Sequence, residues 1–207
     1  MTTLAPPIYT PPPPDPDALL RLAAYCAIPE RYRGGFDTFA ETVGHERAAG
    51  IAWAMAFGEK RDGLYLYGGK GTGKTHLACS ILRAVAERGY DAKFIDCADL
   101  FHQLRARFSA NEDAGEQTPE ELIAELRNVN LLLLDDLGAE KPSGWTADRL
   151  LLILGWRYNA SLPTLITSNY KLEDMAKRHG DVGERIASRV GQMCKVHSVS
   201  QRDWRTK

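Results

Sequence analysis

The sequence predicts an α/β fold built on a parallel sheet, and three stretches carry that expectation. A glycine loop, Gly68-Gly69-Lys70-Gly71-Thr72-Gly73-Lys74-Thr75, follows the apolar run Gly63-Leu64-Tyr65-Leu66-Tyr67. It precedes a segment of helical spacing, His76 to Arg88, whose Leu77, Ile81, Leu82 and Val85 share one side. Four leucines, Leu131 to Leu134, run into Asp135-Asp136, as in a strand buried on both faces with polar groups at its carboxyl end. Pro163-Thr164-Leu165-Ile166-Thr167-Ser168-Asn169 repeats that form. Doubly buried strands alternating with helices belong to parallel sheets, which bind ligands beyond the carboxyl ends of their strands.

The 207 residues, 44% hydrophobic, suffice for one sizeable core but not for two full domains and a linker. With a formal net charge of -1, any nucleic-acid surface must be a local patch. Cys26, Cys79, Cys97 and Cys194 form no C-x-x-C pair and read as buried thiols of a reducing cytoplasm. No apolar run reaches the roughly 20 residues a membrane helix needs.

Met1 to Asp17 holds seven of the eleven prolines and should be an extended tail without a core, either a plain leader or a docking peptide. Ala18 to Ala27 has the pattern of a short helix capped by Asp15 or Asp17. Residues 1–27 thus form a leading unit suited to docking a partner, and 28–207 the main domain. From Ile28 to Phe39 the chain is turn-rich; Ile28, Tyr32 and Phe39 either flank a nucleotide base or close the core. A helix is expected from about His45 to Phe57.

The glycine loop satisfies the phosphate-loop pattern G-x-x-x-x-G-K-[ST] in full, in the strand–loop–helix context that gives the pattern meaning. A triphosphate needs many converging backbone N–H donors, and glycines let the main chain curl closely enough to supply them. The helix N-terminus adds partial positive charge. Lys74 can reach the β and γ phosphates and Thr75 can ligate Mg²⁺. Lys70 and His76 complete the nucleotide-binding stretch, Lys70 with a solvated side chain.

Ala92 to Asp96 reads as the second strand and Ala98 to about Phe108 as a helix with His102, Arg105 and Arg107 as its basic residues. Thr118-Pro119-Glu120-Glu121 is a capping box opening a helix to about Arg127. Asp135 and Asp136 then stand about sixty residues after Thr75. Asp135 suits a magnesium shell; Asp136 can orient or deprotonate the attacking water. After a helix from Trp145 to Tyr158, Asn169 ends the next strand. It lands beside the γ phosphate if that strand lies between the other two, and is otherwise a turn former. Arg185 and Arg189, four apart, form either a solvated basic face or an arginine finger crossing a subunit boundary. Lys195 to Val199 alternates like an edge strand.

Together these motifs resemble the AAA+ ATPases of the DnaC/DnaI helicase-loader group, whose relatives include the IstB transposition ATPases. The resemblance rests on Leu66 to Ala78, Leu133 to Gly138, Thr167-Ser168-Asn169, Gly183-Glu184-Arg185 with Ser188-Arg189, and Asp203-Trp204-Arg205. It implies a five-stranded parallel sheet of order 5-1-4-3-2 with helices on both faces and a reduced C-terminal lid. It implies an ATPase using ATP and Mg²⁺, with Lys74 and Thr75 as Walker A, Asp135 and Asp136 as Walker B, and Asn169 as sensor 1. Arg189 or Arg185 is then the finger in a homo-oligomer, and Arg205 resembles the sensor 2 arginine. The implied partners are a hexameric replicative helicase, or a transposase for the IstB-like alternative, and single-stranded DNA. By the same resemblance DNA meets Arg105, Arg107, Phe108, Ser143 and Trp145, although Phe108 also suits a core and Trp145 the packing of a helix start. The chain departs from the group in its short front segment and in Asp136, where glutamate is more usual.

Overall fold

Alternation along the strands builds two cores at once. In β1 (Gly63–Tyr67), Leu64 and Leu66 point to one face of the sheet and Tyr65 and Tyr67 to the other; in β3 (Leu131–Asp135), Leu131 and Leu133 oppose Leu132 and Leu134. The computed structural model describes residues 26–33, 35–38, 50, 53, 54, 57, 62–109, 117–139, 143–178 and 180–199. Tail residues 1–25, the helix expected from His45 to Phe57 except positions 50, 53, 54 and 57, Phe39 and Arg205 lie outside them, except that only Cys26 and Ala27 of the leading unit are described.

The sheet has five parallel strands in the order β2-β3-β4-β1-β5, with β2 at Ala92–Asp96, β4 at Thr164–Ser168 and β5 at Cys194–Ser198. This is the expected order, with β4 between the loop strand and the aspartate strand. One face is covered by α1 (Lys74–Ala86) and by Cys26, Ile28, Ala54 and Phe57. The other carries α2 (Cys97–Ser109), α3 (Pro119–Asn128), α4 (Gly144–Asn159), α5 (Leu172–Arg178) and α6 (Gly180–Met193). All four cysteines are buried free thiols.

The Thr118–Glu121 capping box forms as expected, Thr118 accepting from the Glu121 N–H at 3.2 Å while the Glu121 carboxylate accepts from the Thr118 N–H at 2.8 Å. One expectation needs correction. Helix α1 starts at Lys74, two residues before His76, because Gly73 at φ +89° ends the loop and its carbonyl accepts from the Leu77 N–H at 2.9 Å. After Tyr170 the chain forms two helices, α5 and α6, which pack on each other.

The inward face of α4 contains Arg157, which hydropathy places at the surface and which is fully buried. Its guanidinium donates to Thr164 Oγ1 (2.9 Å) and to the carbonyls of Leu126, Arg127, Val129, Asn130 and Pro163 (2.7–3.4 Å). It thereby satisfies the last carbonyls of α3 and the turns entering β3 and β4. Burial pulls its pKa down to about 9, which leaves it cationic at neutral pH.

Candidate functional site

At the carboxyl edge, the strand order brings five sequence-expected residues together in two hydrogen-bonded groups. Lys74 Nζ donates to the carbonyls of Gly68 (3.0 Å) and Gly69 (2.7 Å) and to Asn169 Oδ1 (3.0 Å). Asn169 Nδ2 donates to Asp136 Oδ1 at 2.7 Å. At the second residue of α1, Thr75 Oγ1 lies 3.2 Å from Asp135 Oδ2. The loop curls through Gly71 and Gly73, both at positive φ, while Thr72 Oγ1 donates to the Gly69 carbonyl at 3.0 Å. Gly69 and Lys70 stay exposed at its tip.

Thr167 belongs to this constellation although sequence reading gave it no separate role. Its hydroxyl donates to Asp135 Oδ1 at 2.6 Å and accepts from the Asp136 N–H at 2.8 Å. The available signal was its position on β4, two residues before Asn169. Burial pushes the Asp135 carboxyl above its ordinary range; the Thr167 and Thr75 hydroxyls oppose this, and the charges of Asp96 and Asp136 add to it. Asp136 is raised first by burial and then by Asp96, against Lys74 and Lys70.

A hydroxyl and a carboxylate facing each other across 3.2 Å form a hard-oxygen pair, which suits Mg²⁺ completed by water and phosphate oxygens. The N–H groups at the start of α1 and a lysine already bonded to neutral oxygens suit a phosphate anion. On the flank, Ile28 is core, buried against α1, whereas the Tyr32 ring stands 6.2 Å from the His76 ring and its hydroxyl meets the Thr75 side chain. Of the two readings of that segment, Ile28 closes the core and Tyr32 borders the loop. His76 is half-buried, and burial lowers its pKa against a hydrogen bond with the Gly35 backbone.

The remaining expected residues divide. Phe108, 47% exposed, and Phe101 each meet the Trp145 ring edge-on, with centroids 6.0 and 6.3 Å away. Arg105 lies 5.1 Å over Trp145, and Arg149, which sequence reading missed, lies 5.3 Å from Phe108 and 5.7 Å from Trp145. Arg107 donates to Gln103 Oε1 at 3.0 Å. Ser143 is occupied as the N-cap of α4, accepting from the Thr146 N–H at 3.2 Å. On α6, Arg185 is exposed and Arg189 lies 4.5 Å from the Tyr158 ring centroid. No hydrogen bond among the described residues joins either arginine to Lys74, Thr75, Asp135 or Asn169.

The model of the IstB-like ATP-binding protein family matches residues 32–207, which takes in both the loop and the carboxylates. The chain belongs to that family. The chain is similar to the replicative helicase loader DnaI of Bacillus subtilis (strain 168), 31% identical over 127 residues, 61% of this chain and 39% of DnaI. A protein named for ATP binding in insertion sequence IS5376 of Geobacillus stearothermophilus is 30% identical over 162 residues, 77% of this chain and 59% of that protein. The chain therefore spans about two fifths to three fifths of the length of these relatives. The crystal structure of the DnaC helicase loader superposes with a TM-score of 0.70 at 29% identity, over 83% of this chain and all of that one. Family and neighbours together make this an AAA+ phosphate-loop fold.

Proposed function

We propose that this chain binds ATP with Mg²⁺ at the carboxyl edge of its sheet, hydrolyses it, and uses the cycle to load a hexameric replicative helicase onto single-stranded DNA. What carries the reading is the meeting of Lys74 with Asn169 at 3.0 Å while Thr75 meets Asp135 at 3.2 Å, four residues from three motifs in one cluster. Lys74 exchanges the Gly68 and Gly69 carbonyls for β and γ phosphate oxygens, and the loop's N–H groups receive the remaining charge. Thr75 and Asp135 would hold Mg²⁺, which would supply charge against the phosphates. Thr167 fixes Asp135, so its second oxygen stays directed at Thr75. Asp136, held by Asn169, orients the attacking water and receives its proton, a role helped by its raised pKa. With phosphate bound, Lys74 leaves Asn169 Oδ1, so Asn169 is placed to report the nucleotide state.

Arg189 or Arg185 completes the site from a neighbouring copy, and Arg205 serves as the sensor 2 arginine. Arg105, Phe108 and Trp145, with Arg107 and Ser143 at the margin, present aromatic faces and cations to single-stranded DNA. Residues 1–27 dock the partner and 28–207 carry the ATPase. ATP turnover of Lys74→Ala and Asp135→Ala proteins tests the site, and undiminished hydrolysis in either sinks it. Arg189→Ala should lose activity and regain it in mixed oligomers with Lys74→Ala subunits.

The family match and the insertion-sequence relative favour a second reading, a transposition helper with the same ATPase and another partner. Pull-downs with a purified hexameric helicase and with a transposase separate the two. Asp136 in the usual glutamate position favours slow hydrolysis, as in a nucleotide-dependent assembly platform; single-turnover hydrolysis with and without single-stranded DNA measures it.

A further inference from the structure

We infer that Asp96 is a third carboxylate of the magnesium–nucleotide site, acting as a positioning residue through the cation's water shell; this rests on the nucleotide reading above. Asp96 ends β2 in direct register with Asp135 on β3. Neighbouring parallel strands lie about 4.8 Å apart, and partners in register project from the same face. That face is the one covered by α1, because Phe94 and Leu133, two residues earlier on each strand, both belong to the α1 core. Thr75 approaches Asp135 from α1, so Asp96 and Asp135 stand side by side under the loop.

The orientation of Asp96 is fixed independently of any ligand. Its Oδ1 accepts from the N–H groups of Ala98 (2.9 Å) and Asp99 (3.1 Å), capping α2. Among the described residues Oδ2 receives no hydrogen bond. One oxygen therefore holds the carboxylate still, and the other is available to a cation's water. A structural cap needs only a side-chain acceptor, which asparagine and serine also provide; the negative charge adds to the cap through the helix dipole and is also what a hydrated divalent cation uses.

The two roles separate by experiment. Binding of a fluorescent ATP analogue is measured against Mg²⁺ concentration, and again in excess EDTA, for wild type, Asp96→Asn and Asp96→Ser. Both variants keep a cap and lose the charge. The half-saturating Mg²⁺ should rise on the order of tenfold in both, while magnesium-free binding tightens about threefold because a carboxylate no longer repels the phosphates. A residue that merely caps α2 moves neither quantity, so unchanged magnesium dependence in Asp96→Asn and Asp96→Ser overturns the inference and leaves the nucleotide site standing. A wild type that takes up no analogue with or without Mg²⁺ overturns both. Thermal melts exclude misfolding as the cause: Asp96→Asn should melt with the wild type, and Asp96→Ala, which loses the cap, below it.

Discussion

Two buried cations do similar work at different places. Lys74, 7% exposed, donates to two loop carbonyls and an asparagine oxygen; Arg157, wholly buried, donates to five carbonyls and a hydroxyl. The lysine's acceptors line a glycine loop with an exposed tip, and a phosphate can replace them. The arginine's acceptors are the end of a helix and the entrances to two strands, with nothing able to take their place. The same kind of hydrogen bond is an exchangeable contact in one place and a permanent strut in the other. What separates them is whether a competing anion can arrive.

The comparison breaks most visibly at Lys74. Lys74→Ala should reduce ATP turnover by at least about a hundredfold and leave Tm within about 2 °C, measured by phosphate release and differential scanning calorimetry. Arg157→Leu should do the reverse. Stranding several buried carbonyls costs about 3–5 kcal/mol, lowering Tm by about 10 °C, while any protein that remains folded should keep its nucleotide affinity.

Asp135 sharpens the contrast, because a carboxylate proposed to bind the cation is held where burial disfavours its charge. Its folded pKa is raised, so the folded chain holds the proton more tightly than the unfolded one, and stability falls as pH climbs from 3.8 through the raised value. Without nucleotide and Mg²⁺ at pH 7, Asp135→Asn should therefore melt on the order of 2 °C higher and yet hydrolyse no ATP. That gain should fade as pH drops towards and below 3.8. The smallest effect belongs to Ser143→Ala, which loses a helix cap worth about 1 kcal/mol. Single-stranded DNA affinity, measured by fluorescence anisotropy, should change less than in Phe108→Ala, where a lost stacking partner costs roughly tenfold.

What the sequence made legible follows the same division. The loop, the doubly buried β3 and β4 and the Thr118–Glu121 cap are local patterns, each set by neighbours in the chain, and the fold reproduces them. Asn169 needed strand order as well, which the motif set implied. Arg157 was illegible because its acceptors come from two separate connections, 126–130 and 163–164, and hydropathy assigns every arginine to the surface. Thr167, Asp96 and Arg149 escaped for a related reason. A strand threonine, a helix-capping aspartate and an arginine on an amphipathic helix are ordinary until the neighbouring strand or helix is known.

Asp136 adopts φ +53°, the left-handed region, in which aspartate, asparagine and glycine are far more at ease than longer side chains. Substituting glutamate in pursuit of faster turnover would therefore demand a re-bent main chain at that residue as well as a longer arm. If the proposed hydrolysis holds, evolving it towards speed should require paired changes at 136 and in the turn through Gly138, itself at φ +92°, where any added Cβ would collide with Met175.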